Sequence, residues 1–249
     1  MPPNILTRFA IVVGMRAAAM YLLVLLLGLG IGVWGATYYL EQSREEAEAG
    51  GAGEEEVSAD EGVSMRIATI FDSGERYHIE VRYPQFGIEA VDSVIRERVE
   101  RSVNEFRDGV AEIDDVPEMP RFEYLATFDA VYAGPDFASI LLYISRYMGG
   151  AHPGAELVGL NFEMPAGREL TLSDALALTG MSLSEVADVS RAELAGTLGE
   201  SFFPEGAAPT PLNYGTFTVD ADTVTFYFQE YQVAPYAAGP QKVSLPRAR

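Results

Sequence analysis

The sequence predicts an α+β domain: an antiparallel sheet packed with one long and one or two shorter helices, preceded by a single transmembrane helix. Three observations predict it. Ile79, Val81 and Tyr83 alternate with His78, Glu80 and Arg82, the period of two that marks a half-buried strand, and Phe122, Tyr124, Ala126 and Phe128 do the same. Between them, Val91, Val94, Ile95, Val99, Val103, Phe106 and Val110 recur at three- and four-residue spacing, the apolar stripe of an amphipathic helix. Ahead of all of these, residues 17–40 carry no charged side chain.

That uncharged run opens the argument along the chain. At about 1.5 Å per residue it reaches roughly 36 Å, more than the ~30 Å hydrocarbon core of a bilayer. Trp34, Tyr38 and Tyr39 gather at one end and Tyr21 sits near the other, where amphipathic rings favour the membrane interface. Arg8 and Arg16 precede the run, whereas Glu41, Glu45, Glu46 and Glu48 follow it with one Arg44. Positive charge stays inside, so residues 1–16 are expected to be cytoplasmic and the remainder extracytoplasmic. A cleaved signal peptide is the competing reading; its small-x-small site is spoiled by Trp34, two residues before Ala36. Gly28, Gly32 and Ala36 form a small-residue face that permits close helix approach, with a homodimer the less favoured use of it. Residues 41–64 are rich in Glu, Ala, Gly and Ser and cannot bury enough surface to offset ordering entropy, so they read as a disordered acidic tether.

Residues 65–249 carry the α+β domain, with a division into 65–150 and 151–249 as a finer expectation. Met65–Phe71 and the strand around Ile79 form a hairpin through Asp72-Ser73-Gly74. Ala133-Gly134-Pro135-Asp136 turns the chain after the Phe122 strand, and the next strand has Phe137, Leu141, Tyr143 and Tyr147 on one face and Ile140, Leu142 and Ile144 on the other. Apolar residues on both faces predict a strand covered on both sides. Leu157–Met164 is a further strand, closed by Pro165-Ala166-Gly167. Thr171 with Asp174, and Ser182 with Glu185, have the spacing of N-caps and their N3 partners; the second opens a helix over about 183–199. Pro204, Pro209 and Pro211 exclude regular helix after it. Phe217 and Val219 face Val224, Phe226 and Phe228 across Asp220-Ala221-Asp222, and Val243 and Leu245 end the domain as a short strand.

Composition narrows the chemistry. The 249 residues are 48% hydrophobic and 22% charged, ordinary globular values. A net charge of −20 and a pI near 4.4 exclude nucleic acid, which needs a basic face, and suit a cationic partner. There is no cysteine, which removes disulfides, thiolate chemistry and Cys-ligated metals, and His78 and His152 are the only histidines. No cofactor and no metal site is expected. Asp114 with Asp115, and Asp220 with Asp222, read as turn residues bonding their own backbone. No P-loop, dinucleotide-glycine or HExxH pattern occurs.

Two stretches resemble a known family. Tyr147-Met-Gly-Gly-Ala-His-Pro153 and Tyr231-Gln-Val-Ala-Pro-Tyr-Ala-Ala-Gly-Pro240 are similar to the extracellular domain of RsiV-type anti-sigma factors and to the non-catalytic N-terminal domain of PdaC-type peptidoglycan deacetylases. Phe162-Glu-Met-Pro-Ala-Gly-Arg-Glu-Leu-Thr-Leu172 looks like the same family's hairpin turn leading into a short helix. The resemblance covers about residues 65–249. It implies an α+β fold outside the membrane, and lysozyme as ligand in the RsiV member; it transfers no catalytic residue. Read as it stands, the sequence leads one to expect no sigma-binding domain in residues 1–16 and no deacetylase domain beyond Arg249. The expectation is therefore a binding or sensing domain of the bacterial cell envelope rather than an enzyme, anchored by one membrane span. Its ligand would be a lysozyme-like protein or a cell-wall component. The alternative is an envelope glycan hydrolase, or an accessory domain of a peptidoglycan-modifying complex. Tyr147, His152, Tyr231 and Tyr236 are the candidate ligand-binding residues: the tyrosines are amphipathic rings of the kind enriched at interfaces, and His152 sits in a glycine-rich loop.

Overall fold

The computed structural model describes residues 65–114 and 120–248. The expected cytoplasmic segment, membrane span, Gly28/Gly32 face and acidic tether lie outside the described residues, as does Asp115.

The first sheet has six strands in sequence order: β1 Arg66–Ser73, β2 Tyr77–Gln85, β3 Phe122–Ala133, β4 Phe137–Tyr147, β5 Gly154–Glu163 and the short β6 Arg168–Glu169. The second has three: β7 Phe217–Val219, β8 Thr223–Phe228 and β9 Gln241–Pro246. Among the described residues three helices accompany them: α1 Glu89–Glu112, α2 Leu172–Thr179 and α3 Leu183–Leu198. The α+β expectation holds, with one correction. The first sheet is mixed, because β2 and β3 pair in parallel, Tyr77 opposite Phe122. A parallel neighbour needs a long crossover, and α1 is that crossover. The alternation within each strand carries no information about the direction of its neighbour.

Helix α1 lies on one face of this sheet. Its stripe of Val91, Ile95, Val99, Val103, Phe106 and Val110 is buried against Ile79, Val81, Tyr124, Ile140 and their neighbours in one core. Each such side chain contributes roughly 1.5–3 kcal/mol. No side chain caps its N-terminus. Buried Asp92 instead accepts from the backbone N–H groups of Phe86, at 2.7 Å, and Gly87, at 2.9 Å, which fixes the entry of the chain.

The second core joins α2 and α3 to the small sheet: Ala175, Val186 and Leu194 pack with Tyr214, Val219, Val224, Phe226, Phe228 and Val243. Both predicted capping boxes are present, at Thr171/Asp174 and Ser182/Glu185. The proline-rich stretch forms short 3-10 turns at Pro204–Ala207 and Pro211–Tyr214. Asp220 binds its own turn, as expected, accepting from the N–H groups of Asp222 and Thr223.

The two sheets meet on the face of β4 and β5 opposite α1. The Ser139 hydroxyl donates to Asn161 Oδ1 and accepts from the Val219 N–H at 2.8 Å, while Asn161 Nδ2 donates to the Phe217 carbonyl at 2.8 Å. Gly159 lets β7 approach: a Cβ there would fall well inside van der Waals contact of the Phe217 carbonyl oxygen. β4 is thus covered on both sides only in part. Ser139 is fully buried beneath the second sheet, while Tyr143 on the same face is 41% exposed. The anticipated boundary between residues 150 and 151 falls in the loop joining β4 to β5, which pair along their whole length. The cores divide later in the chain, between Met164 and Leu170.

Candidate functional site

The exposed aromatic residues converge where the β8–β9 connection passes the β4–β5 loop. Aromatic strand β8 ends at Phe228, and the chain turns at once. The Gln229 N–H donates to Gln232 Oε1 at 2.8 Å, and the Gln232 N–H to the Gln229 carbonyl at 3.1 Å. This clamp forces Tyr231 into the left-handed region, φ 63°, the only non-glycine residue there among those described. Gln232 then ties the connection to the segment before β7, its Nε2 donating to the carbonyls of Gly206 at 2.8 Å and Asn213 at 3.1 Å. Gly206 is required at that approach, because a Cβ there would collide with the Gln232 carbonyl oxygen. Val233 and Ala234 are buried and anchor the segment, and a 3-10 turn at Tyr236–Ala238 follows.

The result is a stack of three rings. His152 lies 4.3 Å from Tyr236, centroid to centroid, with planes 27° apart; Tyr231 lies 5.5 Å from Tyr236 at 29°. All three are exposed, Tyr231 by 57%. His152 Nδ1 is held at 2.8 Å from the Pro153 carbonyl, so the loop orients the ring. Glu230 accepts from the Ala155 N–H at 3.3 Å beside this stack. Burial pushes its carboxyl above the usual range, offset in part by that hydrogen bond and by His152. Tyr143 completes the group from β4: burial raises its phenol first, with smaller upward contributions from Glu230 and Tyr236.

Three of the four sequence candidates, His152, Tyr231 and Tyr236, therefore come together. Tyr147 does not join them; it lies farther along β4, opposite Glu123, half-buried and outside the stack. Tyr143 and Glu230 were missed. For Tyr143 the period-two pattern already put it on the Tyr147 face, but no local signal said that the β8–β9 connection would arrive beside it. Among the described residues neither histidine hydrogen-bonds a Ser or Thr hydroxyl: His78 pairs with Glu80 at 3.7 Å and His152 with its own loop. No group of three or more potential metal-ligating side chains occurs among them either.

A cleft of about 400 Å³ opens between α1 and β3–β5 and reaches the β5 edge, where Gly215, Thr216 and Gln229 close it. Arg98, Arg101, Ser102 and Glu105 face it from α1, and Arg146 and Glu156 from the sheet. The Arg146 guanidinium is fixed by Glu156 at 2.8 Å and Ser102 Oγ at 2.7 Å, and lies 5.6 Å from the centre of the Tyr124 ring.

The fold defines a two-core α+β domain carrying an exposed aromatic stack. Comparison with known proteins gives that class its family. Residues 71–155 match the family described as deacetylase PdaC, and residues 183–248 match the protein of unknown function family DUF3298. Together the two matches support a PdaC-like/DUF3298 domain family. The chain is 24% identical over 189 residues to the peptidoglycan-N-acetylmuramic acid deacetylase PdaC of Bacillus subtilis (strain 168), across 74% of this chain and 40% of that protein. It thus spans less than half of that relative's length. It is 25% identical over 194 residues to esterase Rv3036c of Mycobacterium tuberculosis, across 74% of this chain and 81% of that one. The crystal structure of a DUF3298 family protein from Pseudomonas aeruginosa PAO1 shares the fold, with a TM-score of 0.50 at 13% identity over 75% of this chain and 92% of that one.

Proposed function

We propose that this chain is a membrane-anchored, extracytoplasmic domain that binds cell-wall glycan through the Tyr231–Tyr236–His152 stack. The observation that carries the reading is that stack: three exposed rings, successive planes 27° and 29° apart, held by a strained but clamped backbone. The C–H face of a sugar ring bears partial positive charge and packs on the negative face of an aromatic ring. Glu230 beside the rings is placed to accept a sugar hydroxyl or an amide N–H. Rings fixed before the ligand arrives lose little conformational freedom on binding. The deacetylase named among the relatives gives independent support for an envelope setting. The anchor rests on the uncharged run of residues 17–40 and the acids that follow it.

Binding is preferred to catalysis because no hydroxyl is placed against a histidine among the described residues. A second reading, capture of a lysozyme-like cationic protein, draws on the net charge of −20 and on the resemblance to RsiV-type domains. Co-sedimentation of the full chain, in detergent, with purified peptidoglycan sacculi tests the first reading. Retention is expected, with Tyr231→Ala and Tyr236→Ala each weakening it by about five-fold or more, as for central interface aromatics. Equal retention of wild type and both variants, or none at all, overturns it. Retention on immobilised lysozyme that vanishes as salt rises would favour the second.

A further inference from the structure

The cleft beneath α1 serves neither the aromatic stack nor the core. Strand parity turns Arg146 and Ile144 toward α1 and Tyr143 the other way, and Gly215, Thr216 and Gln229 line the cleft at the β5 edge without bringing a stacked ring into it. Its walls and floor differ in chemistry. The floor is apolar, made by Ala126, Leu142 and Ile144, all buried, with half-buried Val158. The walls are charged. Arg98, Arg101, Ser102 and Glu105 lie at spacings of three, one and three on α1, a single stripe flanking the buried one. A polar stripe of this kind normally faces bulk water; this one faces a cavity.

Three guanidiniums against two carboxylates leave one positive charge in excess, in a chain whose net charge is −20. Arg146 and Glu156 neutralise each other at 2.8 Å. Arg98 is held only by Glu169, at 3.4 Å between half-exposed groups, a pairing worth little. Among the described residues Arg101 makes no hydrogen bond or ion pair. The cleft therefore offers one fixed guanidinium and two that are available, over an apolar floor, in a volume suited to a small ligand.

We propose that this cleft is an anion site for a carboxylate carried on a compact, partly apolar body, the size of one acidic sugar or one acylated amino acid. Arg98 and Arg101 receive the carboxylate, Arg146 and Ser102 hold the rim, and the body lies on Leu142 and Ile144. None of the three stacked rings lines the site, and its failure would leave the reading of that stack intact.

Isothermal titration of the full chain in detergent tests it, using N-acetylmuramic acid, N-acetylglucosamine and N-acetylalanine as probes. The two sugars differ by a carboxylate-bearing side chain, and N-acetylalanine carries the carboxylate without a sugar. At least one acid should bind about ten-fold or more tightly than N-acetylglucosamine, and the tighter acid names the source of the ligand. Arg101→Ala should weaken that acid by about ten-fold, and Arg98→Ala similarly, while Tyr231→Ala leaves it unchanged. Arg101 is exposed, so its variant keeps the fold and decides the matter even if the Arg98 variant does not. Equal affinity for acid and neutral sugar, no binding of either acid, or indifference to Arg101→Ala would each overturn the proposal.

Discussion

Tyr231 occupies a backbone conformation that costs a non-glycine residue of order 1 kcal/mol or more, and its side chain is 57% exposed, so its own burial cannot offset that cost. The offset comes from Gln229 and Gln232, whose paired bonds close the turn, and from Gly206, which admits the Gln232 carbonyl. Gly206→Ala is expected to lower the melting temperature and to weaken sacculus retention together, since it dislodges the platform without touching a ring. Loss of stability with unchanged retention would show that the rings do not depend on the clamp. Glu230 gives a prediction in pH. Its carboxyl is raised above the ordinary range, chiefly by burial. A raised acid stabilises the fold below its unfolded pKa, and that contribution is lost as pH rises through the folded value. Glu230→Gln keeps an acceptor for the Ala155 N–H and never ionises. Thermal melts should find it more stable than wild type near pH 7, with the difference shrinking toward about pH 4. A Gln variant less stable at both values would show that the carboxylate is favourable where it stands.

At the scale of elements, α2 and α3 begin where their capping boxes place them. The Asp174 carboxyl is lowered to about 2, first by the hydrogen bonds from Arg168, then by the N–H and hydroxyl of Thr171. A lowered acid stabilises the fold above its unfolded value near 3.8 and loses that contribution as pH falls toward about 2. Thr171→Ala should cost about 1 kcal/mol at neutral pH and reduce the acid sensitivity of unfolding between about pH 4 and pH 2. Equilibrium denaturation at the two ends of that window measures both effects. Helix α1 is positioned differently: with no side-chain cap of its own, it relies on Asp92 gripping the preceding turn and on its buried stripe. Periodicity revealed that stripe, because burial of one helix face leaves a three-to-four spacing in the residues. It gave no hint of the second stripe, Arg98 to Glu105, because exposed and cleft-facing polar residues look alike in a sequence.

Across the whole molecule, two cores are joined through a small buried polar knot. Asn161 and Ser139 bridge β4, β5 and β7, and both side chains are nearly inaccessible. Asn161→Ala would strand the Phe217 carbonyl and one bond of Ser139, at a cost of about 1–3 kcal/mol. Calorimetry should give one transition in wild type for residues 65–248, and a variant melting several degrees lower. Two resolved transitions in wild type would mean that the cores unfold independently despite the knot. The PdaC and DUF3298 matches, over residues 71–155 and 183–248, fall one on either side of this joint.

The sequence by itself determined the α+β class, the strands and the long helix, the capping boxes and the aromatic character of residues 226–240. These follow from local periodicity and from short-range backbone chemistry, which are written in consecutive residues. It also brought forward His152, Tyr231 and Tyr236, through their place in two loops. Only the tertiary structure decided that β2 and β3 run parallel, that the two loops stack their rings while Tyr147 stands apart, and that Tyr143 and Glu230 join them. It alone set Arg146 of β4 beside Arg98 and Arg101 of α1 in one cleft. Those outcomes depend on contacts between residues far apart in the chain, such as His152 on Tyr236, 84 positions later, and no local pattern encodes such a pairing.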